Sequence, residues 1–277
     1  MQLEDTTISR LIIDTYNKKF LDSIMVDVAL VGAGPSNMVA AYYLSKAGFK
    51  TAIFEAKLAP GGGMWGGGMM FNEIVLQEDA IPIVKELGIG YQPQEKGYYT
   101  LDSIEATSTI ISKAVKAGTR IFNLIKVTDV LFREENNVLR VCGLVINWSP
   151  VEKLGLPVDP LSIHASFVVD GTGHPAEISH TVTRKMRTKL ETETGDVIGE
   201  MPLWAEKGEQ FTVSNTKEAF PGLYVTGMAA NNTFGGPRMG PIFGGMLQSG
   251  KKVAGLIIKK LDKHGQAHTT QTTPKHE

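Results

Sequence analysis

The run "MVDVALVGAGPSN", residues 25–37, restricts the fold more than any other stretch of the chain. A strand-like segment, 25–31, ends at Gly32, and a helical pattern opens just after Gly34. Gly32 makes a turn too tight for a side chain, and Gly34 lets backbone approach a ligand closely. The helix N-terminus then offers free N–H groups and the positive end of its dipole, a ready anion site. A second strand-like run, 51–55, follows that helix, so the segment reads as a βαβ unit with parallel strands. Glu55 closes the second strand, about 20 residues beyond the turn, where an acid accepts ribose hydroxyls. An acid there, in place of arginine, favours an unphosphorylated ribose, hence NAD or FAD over NADP. The third fingerprint position holds Asn37 instead of glycine. Either the helix stands further from the strand, or the amide finds a partner. The expectation is an α/β, Rossmann-type three-layer fold like those that bind FAD or NAD(P). A glycine turn without a dinucleotide is the alternative.

The remaining pattern predicts helices over 5–22, 79–87, 103–117, 175–186 and 243–262 and strands over 120–133, 138–148, 163–170 and 222–227. The first helix carries Ile8, Leu11, Ile12 and Tyr16 on one face. The glycine-rich run 59–70 and the stretch 149–160 read as loops. We expect one dinucleotide-binding domain over 1–262, with an antiparallel β insertion at about 71–160 and a flexible tail over 263–277. The 28 basic residues balance 29 acidic ones, so no net field points to nucleic acid or an anionic membrane. No apolar run approaches the roughly 20 residues of a membrane span, and Met1–Phe20 mixes charges throughout, unlike a signal peptide. The single cysteine, Cys142, lies in the strand-like "LRVCGLVI" and reads as a buried thiol in a reducing compartment. A cytoplasmic location is expected.

Three later stretches resemble flavoprotein motifs: "APGGGMWGGG" after Glu55, "VVDGTG" at 168–173, and "GLYVTGMAA" at 222–230. In the last, Met228 stands where flavoproteins carry the aspartate that holds the ribityl chain. An ADP-containing ligand is therefore better supported than a flavin. Taken together and in order, "VGAGPS", "FEAKLAPGGGMWGGGMMF", "VDPLSIHASFVVDGTGH" and "GPRMGPIFGGMLQSG" resemble the Thi4 family of thiazole synthases, over roughly residues 5–260. The fourth block has no flavoprotein counterpart.

The resemblance implies an enzyme that converts NAD, glycine and sulfide to an ADP-linked thiazole with release of nicotinamide, assisted by Fe(II), in a homo-octamer with sites shared between subunits. It assigns Gly32, Gly34, Ser36, Glu55, Ala56, Gly63, Val127 and Met228 to the dinucleotide, and Arg238 to the glycine carboxylate, which a guanidinium fork fits. It assigns the iron to Asp159 and His174, fifteen residues apart. Read from its neighbours alone, His174 is a hydrogen-bonded loop histidine and Arg238 a surface arginine. Family members that donate their own sulfur carry a cysteine two residues before the Asp-Pro pair, and archaeal relatives commonly carry histidine there. This chain has Pro157, which can do neither, so sulfide from solution and multiple turnovers are expected. The alternatives are an FAD-dependent oxidoreductase, a ribose 1,5-bisphosphate isomerase and a non-catalytic NAD-binding homologue.

Overall fold

The structure is a computed structural model that describes residues 3–67 and 69–270, with side chains of the last helix described through Asp262. In chain order the elements are α1 (Asp5–Asp22), β1 (Met25–Val31), α2 (Pro35–Lys46), β2 (Thr51–Glu55), β3 (Glu73–Gln77), α3 (Ile81–Leu87), β4 (Gln92–Pro93), β5 (Tyr98–Asp102) and α4 (Ser103–Lys116). Then follow β6 (Arg120–Asn123), β7 (Ile125–Glu135), β8 (Val138–Trp148), α5 (Ser149–Leu154), β9 (Leu161–Asp170), α6 (Glu177–Met186), α7 (Ala205–Ser214), β10 (Glu218–Phe220), β11 (Leu223–Val225), α8 (Met228–Phe234) and α9 (Gly244–Thr270).

Strands β6, β2, β1, β9 and β11 lie side by side in that order and run parallel, with β10 antiparallel at one edge. Parallel strands covered on both faces need near-continuous apolar runs, and β1 supplies one: Val28, Ala29 and Leu30 are fully buried. Val28 and Leu30 face a core shared with α2, α4 and α9, while Ala29 and Val31 face a second core built with β7, β8 and α6. Helices, parallel sheet and antiparallel hairpin are the three layers of an α/β, Rossmann-type fold.

The antiparallel structure within 71–160 falls in two pieces. Strands β3, β5 and β4 form a separate small sheet. After it, α4 and β6 return to the parallel sheet, and only then does the β7–β8 hairpin branch off to pair with the first half of β9. The single strand expected over 120–133 is thus two. Leu124, at φ 57°, turns the chain out of one ladder and into the next. Asn136 and Asn137, both left-handed, close the hairpin as a two-residue turn requires.

The stretch 149–160 begins with the short α5, where a loop was expected. α7 and α8 occupy segments with no predicted helix. α9 runs on through 263–270, part of the expected tail, and residues 271–277 lie outside those described. Among the described residues no helix is long and apolar enough to cross a membrane.

Candidate active site

A cleft of about 550 Å³ opens at the carboxyl ends of β1, β2, β9 and β11, the end of a parallel sheet where ligands bind. Its floor is the glycine turn. Gly32 has φ 85°, and a Cβ there would stand 2.7 Å from the carbonyl oxygen of Gly171. The ends of β1 and β9 press together at this point, and a side chain would force them apart. Asn37 supplies the partner that the missing third glycine called for. Its Nδ2 donates to the carbonyls of Val31 and Gly32, each at 2.8 Å, and its side chain packs against Gly171, where no Cβ would fit. α2 starts on Pro35, which has no N–H to leave orphaned. Glu55 is buried, and its carboxylate accepts from the backbone N–H of Ala33 at 2.7 Å and of Lys57 at 2.8 Å. It thereby braces the turn as well as facing the cleft.

The other wall is the "GTGH" turn. Asp170, fully buried at the end of β9, accepts from the N–H and hydroxyl of Thr172 and from the N–H groups of Ile178 and Ser179 in the first turn of α6. It caps that helix from a distance and fixes the loop between them. His174 emerges from this loop with its carbonyl held by Asn232 of α8 at 2.5 Å. Arg238 comes from the loop after α8, which Asn231 secures by donating to the Pro237 carbonyl at 3.0 Å.

Gly32, Gly34, Ser36, Glu55, Ala56, Gly63, Val127, Met228, His174 and Arg238 all line this one cleft, although they come from strands, helices and loops spread over two hundred residues. Asp159 does not. It is exposed on the loop after α5 and is not part of the cleft wall. Among the described residues no cluster of three or more His, Cys, Asp or Glu could hold a metal ion. One chain thus brings His174 to the cleft without Asp159. Cys142 is buried in β8, away from the cleft, and burial pushes its thiol pKa up, which disfavours the reactive thiolate.

Charged groups that sequence reasoning missed also face the cleft: Lys57, and the ion pair of Lys126 with Glu177. A further charged group, Glu200, lies outside the residues that line the cleft and joins the two site residues of the far wall. Its Oε1 lies 2.5 Å from His174 Nδ1 and its Oε2 lies 3.6 Å from Arg238 Nε. It sits in an irregular stretch, "IGEMPLW", with no periodicity or motif to flag it.

The model of the Thi4 family matches residues 9–243. The chain belongs to the Thi4 family. It is 57% identical over 261 residues to a protein of Methanococcoides burtonii named thiamine thiazole synthase, covering 94% of this chain and all of that one. It is 53% identical over 262 residues to a protein of the same name from Desulfosudis oleivorans, covering 95% of this chain and all of that one. Among solved structures, the crystal structure of Thermovibrio ammonificans THI4 superposes with a TM-score of 0.93 at 55% identity, covering 94% of this chain and all of that one. Family membership therefore extends to the fold and to nearly the whole length.

Proposed function

We propose that the chain is a thiamine thiazole synthase that makes an ADP-linked thiazole from NAD, glycine and sulfide, with Fe(II). The observation that carries this reading is the gathering of every residue the family resemblance assigns, Asp159 excepted, into one cleft. The glycine turn and the start of α2 bind the diphosphate, and Glu55 takes the ribose. Arg238 holds the glycine carboxylate through its guanidinium fork. His174 is a ligand for iron, with Asp159 supplied by a second copy of the chain. When bound, the metal supplies a Lewis-acid centre with open positions that brings sulfur and substrate together.

A shared site is supported by the surface around Asp159. Leu154, Leu156, Val158 and Leu161 are all exposed beside it, an apolar edge suited to another subunit and to a homo-octamer. The sulfur comes from solution. Pro157 has no sulfur to give, and Cys142 is enclosed in β8. The reading places the enzyme in the cytoplasm.

The test is anaerobic incubation with NAD, glycine, Fe(II) and sulfide, with mass spectrometry of the products. An ADP-thiazole should form over several turnovers, only when sulfide is added, and equally well with Cys142→Ala. Product without sulfide, accompanied by conversion of Cys142 to dehydroalanine, would overturn the sulfide assignment. Nicotinamide release with no thiazole under any condition would overturn the synthase.

A further inference from the structure

We propose that Glu200 is a positioning residue that sets His174 and Arg238 as one unit on the cleft wall, an inference that rests on the synthase reading for the roles of those two. The backbone around Glu200 is built to hold it there. The Gly199 N–H donates to the Asn232 carbonyl at 2.9 Å, and the Met201 N–H donates to the Gly236 carbonyl at 3.1 Å. The Arg238 N–H returns a bond to the Met201 carbonyl at 3.1 Å, and Met201 bridges Pro237 as a strand would. The segment is thus pinned between the end of α8 and the loop that bears Arg238. Asn232, which fixes Gly199 from its carbonyl, fixes His174 from its side chain. Glu200 itself is shielded, its side chain 14% exposed, while His174 and Arg238 are each more than half exposed.

The chemistry of the contact follows from the groups. An ionised carboxylate only accepts, so Nδ1 of His174 must carry the proton it shares with Oε1. With Nδ1 protonated, a neutral ring has its lone pair on Nε2. Carboxylate partners fix the tautomer and aim of metal-binding histidines in this way, and their removal typically weakens metal binding by about 10- to 100-fold. The second oxygen attracts Arg238 from its Nε side. That leaves the terminal nitrogens of the guanidinium for a substrate carboxylate. Glu200 is not among the residues that line the cleft. It acts through its two neighbours.

The decisive readout needs no metal: ¹⁵N shifts of the His174 ring in protein labelled at histidine, assigned by loss of the signal in His174→Ala. The parent should show a protonated Nδ1, and so should Glu200→Gln, whose amide oxygen still accepts that proton. Glu200→Ala should lose this tautomer preference. Anaerobic titration with Co(II) should find affinity about 10- to 100-fold weaker in Glu200→Ala and within a few-fold of the parent in Glu200→Gln. The KM for glycine should rise in both variants, because neither keeps the charge beside Arg238, while the Kd for NAD should be unchanged. Glu200→Gln keeps the test open where Glu200→Ala does not fold. A His174 tautomer indifferent to Glu200→Ala overturns the proposal, as does parent-like Co(II) affinity in Glu200→Ala when His174→Ala abolishes binding. If His174→Ala binds Co(II) like the parent, the iron assignment fails instead, and the tautomer result still decides the role of Glu200.

Discussion

Glu209 carries a carboxyl group that the fold holds away from water, 6% exposed on α7. Its Oε2 accepts from Gln77 Nε2 at 2.6 Å and from the Gly245 N–H at 2.5 Å, whereas Oε1 has no hydrogen-bond partner among the described residues. Burial raises its pKa and outweighs the two hydrogen bonds, which pull the other way. The sign of the stability effect follows by linkage. A carboxyl raised in the folded state contributes its stability in full below its unfolded value, and that contribution is lost as pH rises through the folded value. Glu209→Gln keeps an acceptor for both donors and cannot ionise. Urea midpoints of the variant should therefore gain on the parent as pH rises from the ordinary carboxylate range towards neutrality, and the two should converge in acid. A constant difference at every pH would show that Glu209 does not titrate between the states. None of this was legible in the sequence, because "AEKGEQFTVS" reads as a polar stretch until α9 and β3 close over it. Glu200 escaped for the same reason. Its partners are brought to it by loops that carry no pattern of their own.

At the scale of elements, the β1–α2 corner depends on one amide. Asn37 is fully buried, donates to the Gly32 carbonyl and adds a second donor to the Val31 carbonyl, which also accepts from the Gly171 N–H at 3.0 Å. Asn37→Ala leaves the Gly32 carbonyl without its donor, while the Val31 carbonyl keeps the Gly171 N–H at 3.0 Å, and an unpaired buried polar group costs about 1–3 kcal/mol. We expect a urea midpoint lowered by a corresponding loss of stability, together with weaker NAD binding by calorimetry, since the proposed diphosphate site is on the same corner. An unchanged midpoint with unchanged NAD affinity would remove Asn37 from both roles. This βαβ unit was readable because each of its parts obeys a local rule: apolar run, two glycines, helix start, acid. α7 and α8 were not, for reasons visible in the structure. In α7, Gly208 weakens the helical signal, yet a Cβ there would stand 2.6 Å from the Cα of Met239, so the loop bearing Arg238 requires it. In α8, Met228–Thr233 are buried all round, polar Asn231, Asn232 and Thr233 included, so the seven-residue helix has no solvent-exposed face to produce a period.

At the scale of the whole molecule, one chain leaves apolar surface exposed. Of the apolar face Ile8, Leu11, Ile12 and Tyr16 expected on α1, Tyr16 packs on the core among the described residues, joined by Phe20, and both rings meet Phe122. Leu11 and Ile12 stay 56% and 65% exposed. The pattern showed an amphipathic helix but could not say what covers it, because a periodicity is the same whether its cover comes from the same chain or another. Asp159 poses that question at the cleft, since it lies outside the wall that His174 helps to form. If Asp159 serves a neighbouring subunit's site, Asp159→Ala and His174→Ala are defects in different halves of each site. Each variant alone should make no thiazole. Co-expression allows mixed assemblies, and random association pairs the intact Asp159 of one variant with the intact His174 of the other in about a quarter of sites. Thiazole synthesis by differently tagged, co-purified chains should recover to about that fraction of the parent rate. Sites formed within single chains would recover none, because every chain in the mixture lacks one ligand. Recovery therefore separates a shared site from a self-contained one, with Asp159→Ala/His174→Ala in one chain, co-expressed with the unmutated chain, as the measure of how freely subunits mix.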